Sequence, residues 1–428
     1  MTYIRPRNLE GLKQYKYASV DRSLVSKYIL KPFYTNFVIK CFPMSMAPNL
    51  ITLTGFSFVV INFLTLLWYN PTLSTDCPPW VYLSWSLGLF LYQTFDAVDG
   101  TQARRTRQSG PLGELFDHGV DACNTALEVL IFAGAVNLGQ SWATVLVLFG
   151  SVFTFYVQTW DEYYTQVLTL GVVSGPVEGI LTLCLVYLIT AIMGGGSFWH
   201  RPMLPTIGIP QLPLMPESVY NLPFTSWWII YGAIVLLFGT LSSVINVLRV
   251  VKERQAEHNQ QLRYQTNPSP SCTSNNISLY KPLVGLFPAV LAWILIWAYL
   301  RLQPTILQFH LIPFVLFVGL INAYSVGQMI VAHLVKTEFP YQNVLLVPLA
   351  FGVFDSLAPR IGLYAHSIIG SATNQAAFVF VCLGISIGVY GSFVYDVITS
   401  ICEYLDIWCL TIKYPYDEAA ESRKAKNP

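Results

Sequence analysis

The chain alternates between long apolar runs and short polar connectors. Ten runs reach or approach the roughly 20 residues that carry an α-helix across a bilayer. They fall at about 48–69, 79–99, 114–137, 142–159, 176–193, 226–248, 282–300, 308–332, 343–357 and 374–402. The pattern predicts an all-α polytopic membrane protein with about ten transmembrane helices. The ninth run is short and contains Pro348, Gly352 and Asp355, so a re-entrant segment fits it as well as a crossing does. Ahead of the first run, Val20 to Phe42 mixes aromatic and aliphatic residues with Arg22, Lys27, Lys31 and Lys40. That mixture predicts an N-terminal amphipathic helix lying on an anionic leaflet.

Composition agrees with the membrane reading. Of the 428 residues, 54% are hydrophobic and 11% charged, against about 25% charged in soluble domains. Lys and Arg then set the orientation, because cytoplasmic loops retain them. With the N-terminus in the cytosol, 21 of the 24 fall on the cytosolic side, and Arg201, Arg301 and Arg360 fall opposite. Both termini are therefore expected in the cytosol. The first 45 residues are polar and basic, so no cleavable signal peptide is expected, and the first span serves as signal anchor. The expected organisation is an N-terminal arm (1–47), a first helical unit (48–250), a polar flexible loop (251–281), a second helical unit (282–402) and a tail (403–428). The sequon at Asn276 lies in that loop, on the cytosolic side, where no glycan is expected. A net charge of +1 gives no argument for nucleic-acid binding. The eight cysteines form no C-x-x-C pair and no zinc-like spacing, so neither a disulfide framework nor structural zinc is read.

The second and third runs carry the chemistry. Asp96 and Asp99 are i,i+3, and Asp117 and Asp121 are i,i+4. Each pair therefore lies on one helix face, and the short connector folds the two helices into a hairpin. Intramembrane carboxylates are costly and mark function by default. Four of them repel, and the nearby Arg104 is too little compensation. Hard divalent ions with oxygen ligands fit better, and paired metals are a recurrent device for phosphoryl displacement. Gly100, Ala103 and Gly113 remove bulk beside the acids, so a ligand can approach the backbone closely.

The arrangement Asp96-x2-Asp99-Gly100-x2-Ala103-Arg104-x8-Gly113-x3-Asp117-x3-Asp121 resembles the complete signature of the CDP-alcohol phosphatidyltransferase class I family. Gly110 to Gly119, Trp160-Asp-Glu-Tyr163, Gly175 to Gly179 and the Pro48-Asn49 element resemble its eukaryotic choline and ethanolamine phosphotransferase branch, with linker and tail details pointing to a fungal member. The specific motifs cover about residues 45 to 180.

The resemblance implies transfer of phosphocholine or phosphoethanolamine from CDP-choline or CDP-ethanolamine to diacylglycerol, with release of CMP. It also implies two Mg2+ or Mn2+ ions, a homodimer, and a membrane of the endoplasmic reticulum or Golgi. Asp96, Asp99, Asp117 and Asp121 would hold the ions. Gly100, Ala103 and Gly113 would make room for the nucleotide, Asn49 would lie near it, and Arg104 would pair with the diphosphate. The family at large suggests Asp121 as base for the acceptor hydroxyl. His118 is the other candidate, because it adjoins a metal ligand and titrates near neutral pH. Glu178 is then expected to orient it. Trp160, Tyr163 and Tyr92 are candidates for a cage around a quaternary ammonium, although an interfacial aromatic belt explains such residues too. Glu114, Asp161 and Glu162 fit either headgroup or metal-shell acids or a solvated loop. Two other readings stay open: a CDP-diacylglycerol-dependent transferase of the same family, and a metal-ion transporter.

Overall fold

The structure is a computed structural model, and it describes residues 3–15, 19–21, 23–170, 176–264, 280–363 and 365–416. The expected polar run and sequon at 265–279, and the end of the tail from 417, lie outside the described residues.

Ten principal helices follow the ten apolar runs: α1 (Pro48–Tyr69), α2 (Pro79–Arg105), α3 (Pro111–Ala135), α4 (Trp142–Thr165), α5 (Pro176–Met193), α6 (Phe224–Tyr264), α7 (Phe287–Leu302), α8 (Leu311–Leu334), α9 (Leu346–Leu357) and α10 (Ala372–Leu405). Their starts are written in the sequence. Pro48, Pro79 and Pro111 open α1, α2 and α3 at the first position, where a missing N–H costs nothing. Ser141 caps α4 by accepting from the Ala143 N–H at 3.2 Å.

Among the described residues, six helical stretches are long and apolar enough to cross a membrane: α1, α4, α8, α10, the apolar part of α6, and α7 with the turn before it. The helices α2 and α3 fall outside that set, with Trp, Tyr, Ser and Gln along α2 and Asp121, Asn124 and Glu128 along α3 lowering their hydropathy. At 12 residues, α9 spans about 18 Å at 1.5 Å per residue, well short of a bilayer core of about 30 Å. It does not cross as a regular helix.

The central helix is α8, with 78% of its apolar window buried, against 11% for α6 at the periphery. It packs on α3, α4 and α10, while α1 and α5 flank α2. The contact between α8 and α3 is close because Gly319 faces Ala126: a β-carbon at 319 would stand 2.4 Å from the Ala126 β-carbon. From α10, Tyr390 donates to the Gly119 carbonyl at 3.3 Å. The second helical unit is thus packed against the motif-bearing helix of the first.

Three features differ from the sequence expectation. First, α6 runs on to Tyr264, through the expected start of the flexible loop. That stretch is rich in Lys, Glu, Arg and Gln, which favour helix, and Arg254 fixes it by donating to the carbonyls of Tyr164 (2.7 Å) and Thr165 (2.9 Å). Second, the segment before α1 is a broken series, with a π turn at Ser26–Leu30, an α turn at Lys31–Asn36 and a 3-10 turn at Val38–Cys41. Leu30, Tyr34, Val38 and Phe42 pack on Ile51 and Val98, while Tyr28, Ile29, Phe33 and Phe37 stay exposed. Third, a short parallel pair forms between β1 (Ser19–Asp21) and β2 (Leu168–Leu170). It lays the N-terminal arm across the end of α4.

The α3–α8 crossing leaves no room for a side chain. Gly319→Leu should lower stability by about 1–3 kcal/mol, read as a lower thermal midpoint in detergent. Gly384→Leu is the control, since nothing lies within 4 Å of a β-carbon there. Equal losses at both positions would refute the tight crossing.

Candidate active site

The acidic hairpin is set by its turn. After α2, Arg107 adopts a left-handed conformation (φ 56°). The Gln108 N–H bonds the Ala103 carbonyl at 2.8 Å, and the Arg107 N–H bonds that of Arg104 at 3.3 Å. This is a Schellman turn with Arg where Gly is commoner, and it reverses the chain within five residues. The turn is braced from below. Gln102 donates to the carbonyls of Pro43 and Met46, and Arg105 to those of Ile39 and Phe42. Arg107 stacks on Tyr416 with 4.2 Å to the ring centroid.

Within this frame, one oxygen each from Asp96, Asp99 and Asp117 lies within 4.8 Å of the others. The Oδ1 atoms of Asp96 and Asp117 are buried with no hydrogen-bond donor. Buried acceptors are ordinarily paired, so orphaned oxygens on two of three converging carboxylates fit a set of cation ligands. The donor set is all oxygen, which suits a hard divalent ion. Asp99 Oδ2 accepts from the Thr52 hydroxyl. Asp121 stands outside the tightest group, with its Oδ1 accepting from the Tyr92 hydroxyl. The Tyr92 phenol is therefore engaged by a carboxylate rather than offered as a free aromatic face.

The space beside the acids is open. A β-carbon at Gly113 would meet nothing within 4 Å, and one at Gly100 would meet only Arg104 Nη1 at 3.7 Å. Ala103 is half-buried on the same helix end. Arg104 is exposed, and its guanidinium reaches no further than Thr101, at 3.1 Å. Asn49 is buried, and its amide nitrogen donates to the Cys409 carbonyl at 3.1 Å. In this structure that nitrogen ties α1 to the segment after α10.

His118 sits between two carboxylates. Its Nδ1 is 3.5 Å from Asp117 Oδ2, and its Nε2 is 3.5 Å from Glu162 Oε2. Glu162, and not the expected Glu178, is the acid at the outer face of the ring. The reason is packing. The last turn of α4 lies against α3 and turns Glu162 inward, whereas α5 packs mainly on α2. There Glu178 Oε1 accepts from the Ser23 hydroxyl, and Oε2 is buried without a partner. Neighbouring Asp161 faces the other way and accepts from Asn246 on α6 at 3.0 Å.

The aromatic cage is not built from the expected residues. Trp160 is fully buried, with Nε1 donating to the Pro282 carbonyl at 2.9 Å. The Tyr163 hydroxyl donates to the Thr337 carbonyl at 2.7 Å. Both tie α4 to the second helical unit. Sequence reasoning missed Tyr15, Ser23, Gln166 and His333. Tyr15 donates to Glu114, and His333 lies 3.8 Å from it. His333 had a usable signal, as an ionisable residue at the edge of an apolar span.

A polytopic helical membrane protein with a carboxylate metal site on a helix hairpin is the class that fold and site define. A family model described as CDP-alcohol phosphatidyltransferase matches residues 45–238. An uncharacterized CDP-alcohol phosphatidyltransferase class-I family protein of Schizosaccharomyces pombe is 42% identical, over 95% of this chain and 96% of its own length. Choline/ethanolaminephosphotransferase 1 of Saccharomyces cerevisiae is 40% identical, over 96% of this chain and 98% of its own. Ethanolaminephosphotransferase 1 of Homo sapiens is 33% identical over 86% of each. The chain belongs to the CDP-alcohol phosphatidyltransferase family.

Because Trp160 is sealed in the core, Trp160→Phe should destabilise the protein by about 1–3 kcal/mol, from the lost hydrogen bond to the Pro282 carbonyl and the core volume removed with the indole. It should leave the ratio of turnover with CDP-choline to that with CDP-ethanolamine unchanged. A selective change in that ratio would restore the cage.

Proposed function

We propose that the protein transfers phosphocholine or phosphoethanolamine from the CDP-alcohol to the hydroxyl of diacylglycerol, giving phosphatidylcholine or phosphatidylethanolamine and CMP. The observation that carries this reading is the convergence of Asp96, Asp99 and Asp117, two of them with an orphaned buried oxygen, beside the open surface at Gly100 and Gly113. The full-length similarity to proteins named for choline and ethanolamine phosphotransfer supports it.

In the reaction, the diacylglycerol oxygen forms a bond to the phosphorus bearing the headgroup, and the bond from that phosphorus to the CMP phosphate breaks. Asp96, Asp99, Asp117 and Asp121 would hold two divalent ions, Mg2+ or Mn2+, which polarise the phosphorus and stabilise the leaving CMP when bound. The chain's own residues do the rest. Thr52 and Tyr92 hold the Asp99 and Asp121 carboxylates in place. Gly100, Ala103 and Gly113 leave room for the nucleotide, with Asn49 at its edge, and Arg104 pairs with the diphosphate. His118 takes the proton of the acceptor hydroxyl, and the Glu162 carboxylate beside its ring steadies the imidazolium. Asp121 is engaged by Tyr92, which supports the choice of His118 as base. The distribution of Lys and Arg supports a cytosolic site, where a water-soluble CDP-alcohol is present. Residence in the endoplasmic reticulum or Golgi membrane and assembly as a homodimer belong to the same proposal.

The test is CMP release by the purified protein with diacylglycerol and each CDP-alcohol. Turnover should stop on chelation and return with Mg2+ or Mn2+. Asp96→Asn should lower it roughly 100-fold or more, the scale of losing one electrostatic stabiliser of the transition state. His118→Ala should lower it at least about 100-fold as the loss of a general base, with metal binding retained. Metal uptake into vesicles without any CMP release would overturn the reading, and near-normal turnover of His118→Ala would remove His118 as the base.

A further inference from the structure

Glu114 lies one turn before His118 on α3, and both of its oxygens face groups brought from outside that helix. Its side chain is buried and within electrostatic reach of both His118 and Glu162. Glu114 and Glu162 repel each other, so each needs favourable partners of its own to stay in place. For Glu114, Oε2 accepts from the Tyr15 hydroxyl of the N-terminal arm, and Oε1 lies 3.8 Å from Nε2 of His333, in the last turn of α8.

What His333 presents to Glu114 follows from its other neighbours. Its Nδ1 is 3.1 Å from Gln166 Nε2. The Gln166 amide is itself oriented, because Oε1 accepts from the Lys336 ammonium and Nε2 also donates to the Tyr163 carbonyl at 2.6 Å. An ammonium offers only protons, so the amide oxygen belongs on the Lys336 side and the amide nitrogen on the His333 side. An amide nitrogen also offers only protons, so His333 Nδ1 accepts. The neutral ring then carries its proton on Nε2, the nitrogen 3.8 Å from Glu114 Oε1, so the contact is one of N–H dipole with carboxylate rather than a hydrogen bond. Lys336, Gln166 and His333 form a directed chain ending on that carboxylate. Gln166 and Lys336 both sit at left-handed positions (φ 62° and 55°) just past the ends of α4 and α8, which brings the two helix ends together around the ring.

We propose that His333 and Tyr15 are positioning residues for the transfer reaction. Together they hold the Glu114 carboxylate beside the His118–Glu162 pair, and Gln166 and Lys336 set the His333 tautomer that does so. The inference rests on the proposed phosphotransfer for its kinetic consequence, but not for its geometric one. It assigns a role in the site to two regions outside the matched family segment 45–238: the N-terminal arm, which supplies Tyr15, and the second helical unit, which supplies His333 and, just beyond α8, Lys336.

The experiment has two arms on the full-length protein in detergent. The first reads the tautomer by NMR of 15N-histidine-labelled protein, with the His333 signal assigned by its loss in His333→Gln. Wild type should show the Nε2–H form. Gln166→Glu keeps a partner for Lys336 but cannot donate to Nδ1, so the proton should move to Nδ1. The second arm reads CMP release. His333→Ala, Gln166→Glu and Tyr15→Phe should each lower kcat about 10-fold or more, the scale of losing an outer-shell orienting partner, with KM for the CDP-alcohol and the thermal midpoint little changed. His333→Gln, which returns an N–H near the Nε2 position, should recover most of the activity lost in His333→Ala. An Nδ1–H wild-type ring, wild-type kcat in Gln166→Glu, or a Gln variant as impaired as the Ala variant would each overturn the proposal. If the wild type releases no CMP from any CDP-alcohol, the functional reading fails and the tautomer measurement alone decides the geometry.

Discussion

Three carboxylate oxygens held within 4.8 Å of one another are the constraint around which this end of the molecule is organised. At that separation, and with an effective dielectric of about 20, each like-charged pair repels by about 3–4 kcal/mol. A hydrogen bond to a charged group returns about 1.5–3 kcal/mol, so the Thr52 and Tyr92 hydroxyls cannot offset the repulsion by themselves. The hairpin is held closed by something else. The Schellman turn at Arg107 fixes the reversal, and the side chains of Gln102 and Arg105 anchor the turn to backbone carbonyls of the segment before α1. The acids are forced together by the scaffold, and this is the condition under which a cation binds strongly, because its arrival removes a strain that folding has already imposed.

The same logic explains why the N-terminal arm reaches the site. Helices α2 and α3 offer few donors at the motif end, where Asp96, Asp99 and Asp117 converge; Tyr92 serves Asp121. Donors must come from elsewhere. The N-terminal arm brings Tyr15 to Glu114 and Ser23 to Glu178, and it is laid in register by the pairing of β1 with β2. The segment after α10 meets Asn49 through Cys409 and pairs Thr411 with Met46. The second helical unit brings His333. The acids of the hairpin thus have partners within it, as Tyr92 is to Asp121, and partners from the N-terminal arm and the second helical unit, remote from it in sequence.

The acid cluster was legible because its geometry is local. Spacings of three and four residues on a helix place Asp96 with Asp99, and Asp117 with Asp121, whatever the tertiary fold. The ten apolar runs were legible for the same reason, down to the doubtful ninth, where Pro348 and Asp355 already marked α9 as short. What could not be read was which helix leans on which. Glu162 and Glu178 are both acids near helix ends, and only the packing of α4 on α3, and of α5 on α2, sends the first to His118 and the second to Ser23. Trp160 and Tyr163 misled similarly: as interfacial aromatics they fit a cage, yet their polar atoms are spent on carbonyls of the second helical unit. The continuation of α6 was concealed by polarity, since a helix leaving the membrane and a solvated linker share a composition, and Arg254 at the end of α4 distinguishes them.

These placements separate two tasks that the sequence left on the same residues. Asp121 is the more constrained carboxylate, with its Oδ1 taken by a buried phenol; a group so held is suited to keep a fixed position and poorly suited to swing or to exchange a proton. His118 has the opposite character. It lies 3.5 Å from an acid on either side, which is near enough to stabilise a positive ring and too far to lock it as a firm hydrogen bond would. An imidazole between two carboxylates can accept a proton without leaving an unpaired charge in a buried place, and it can do so beside the ligands without being one of them. In the proposed reaction the carboxylates would set where the phosphorus stands and His118 would move the proton, so neither task compromises the geometry that the other needs.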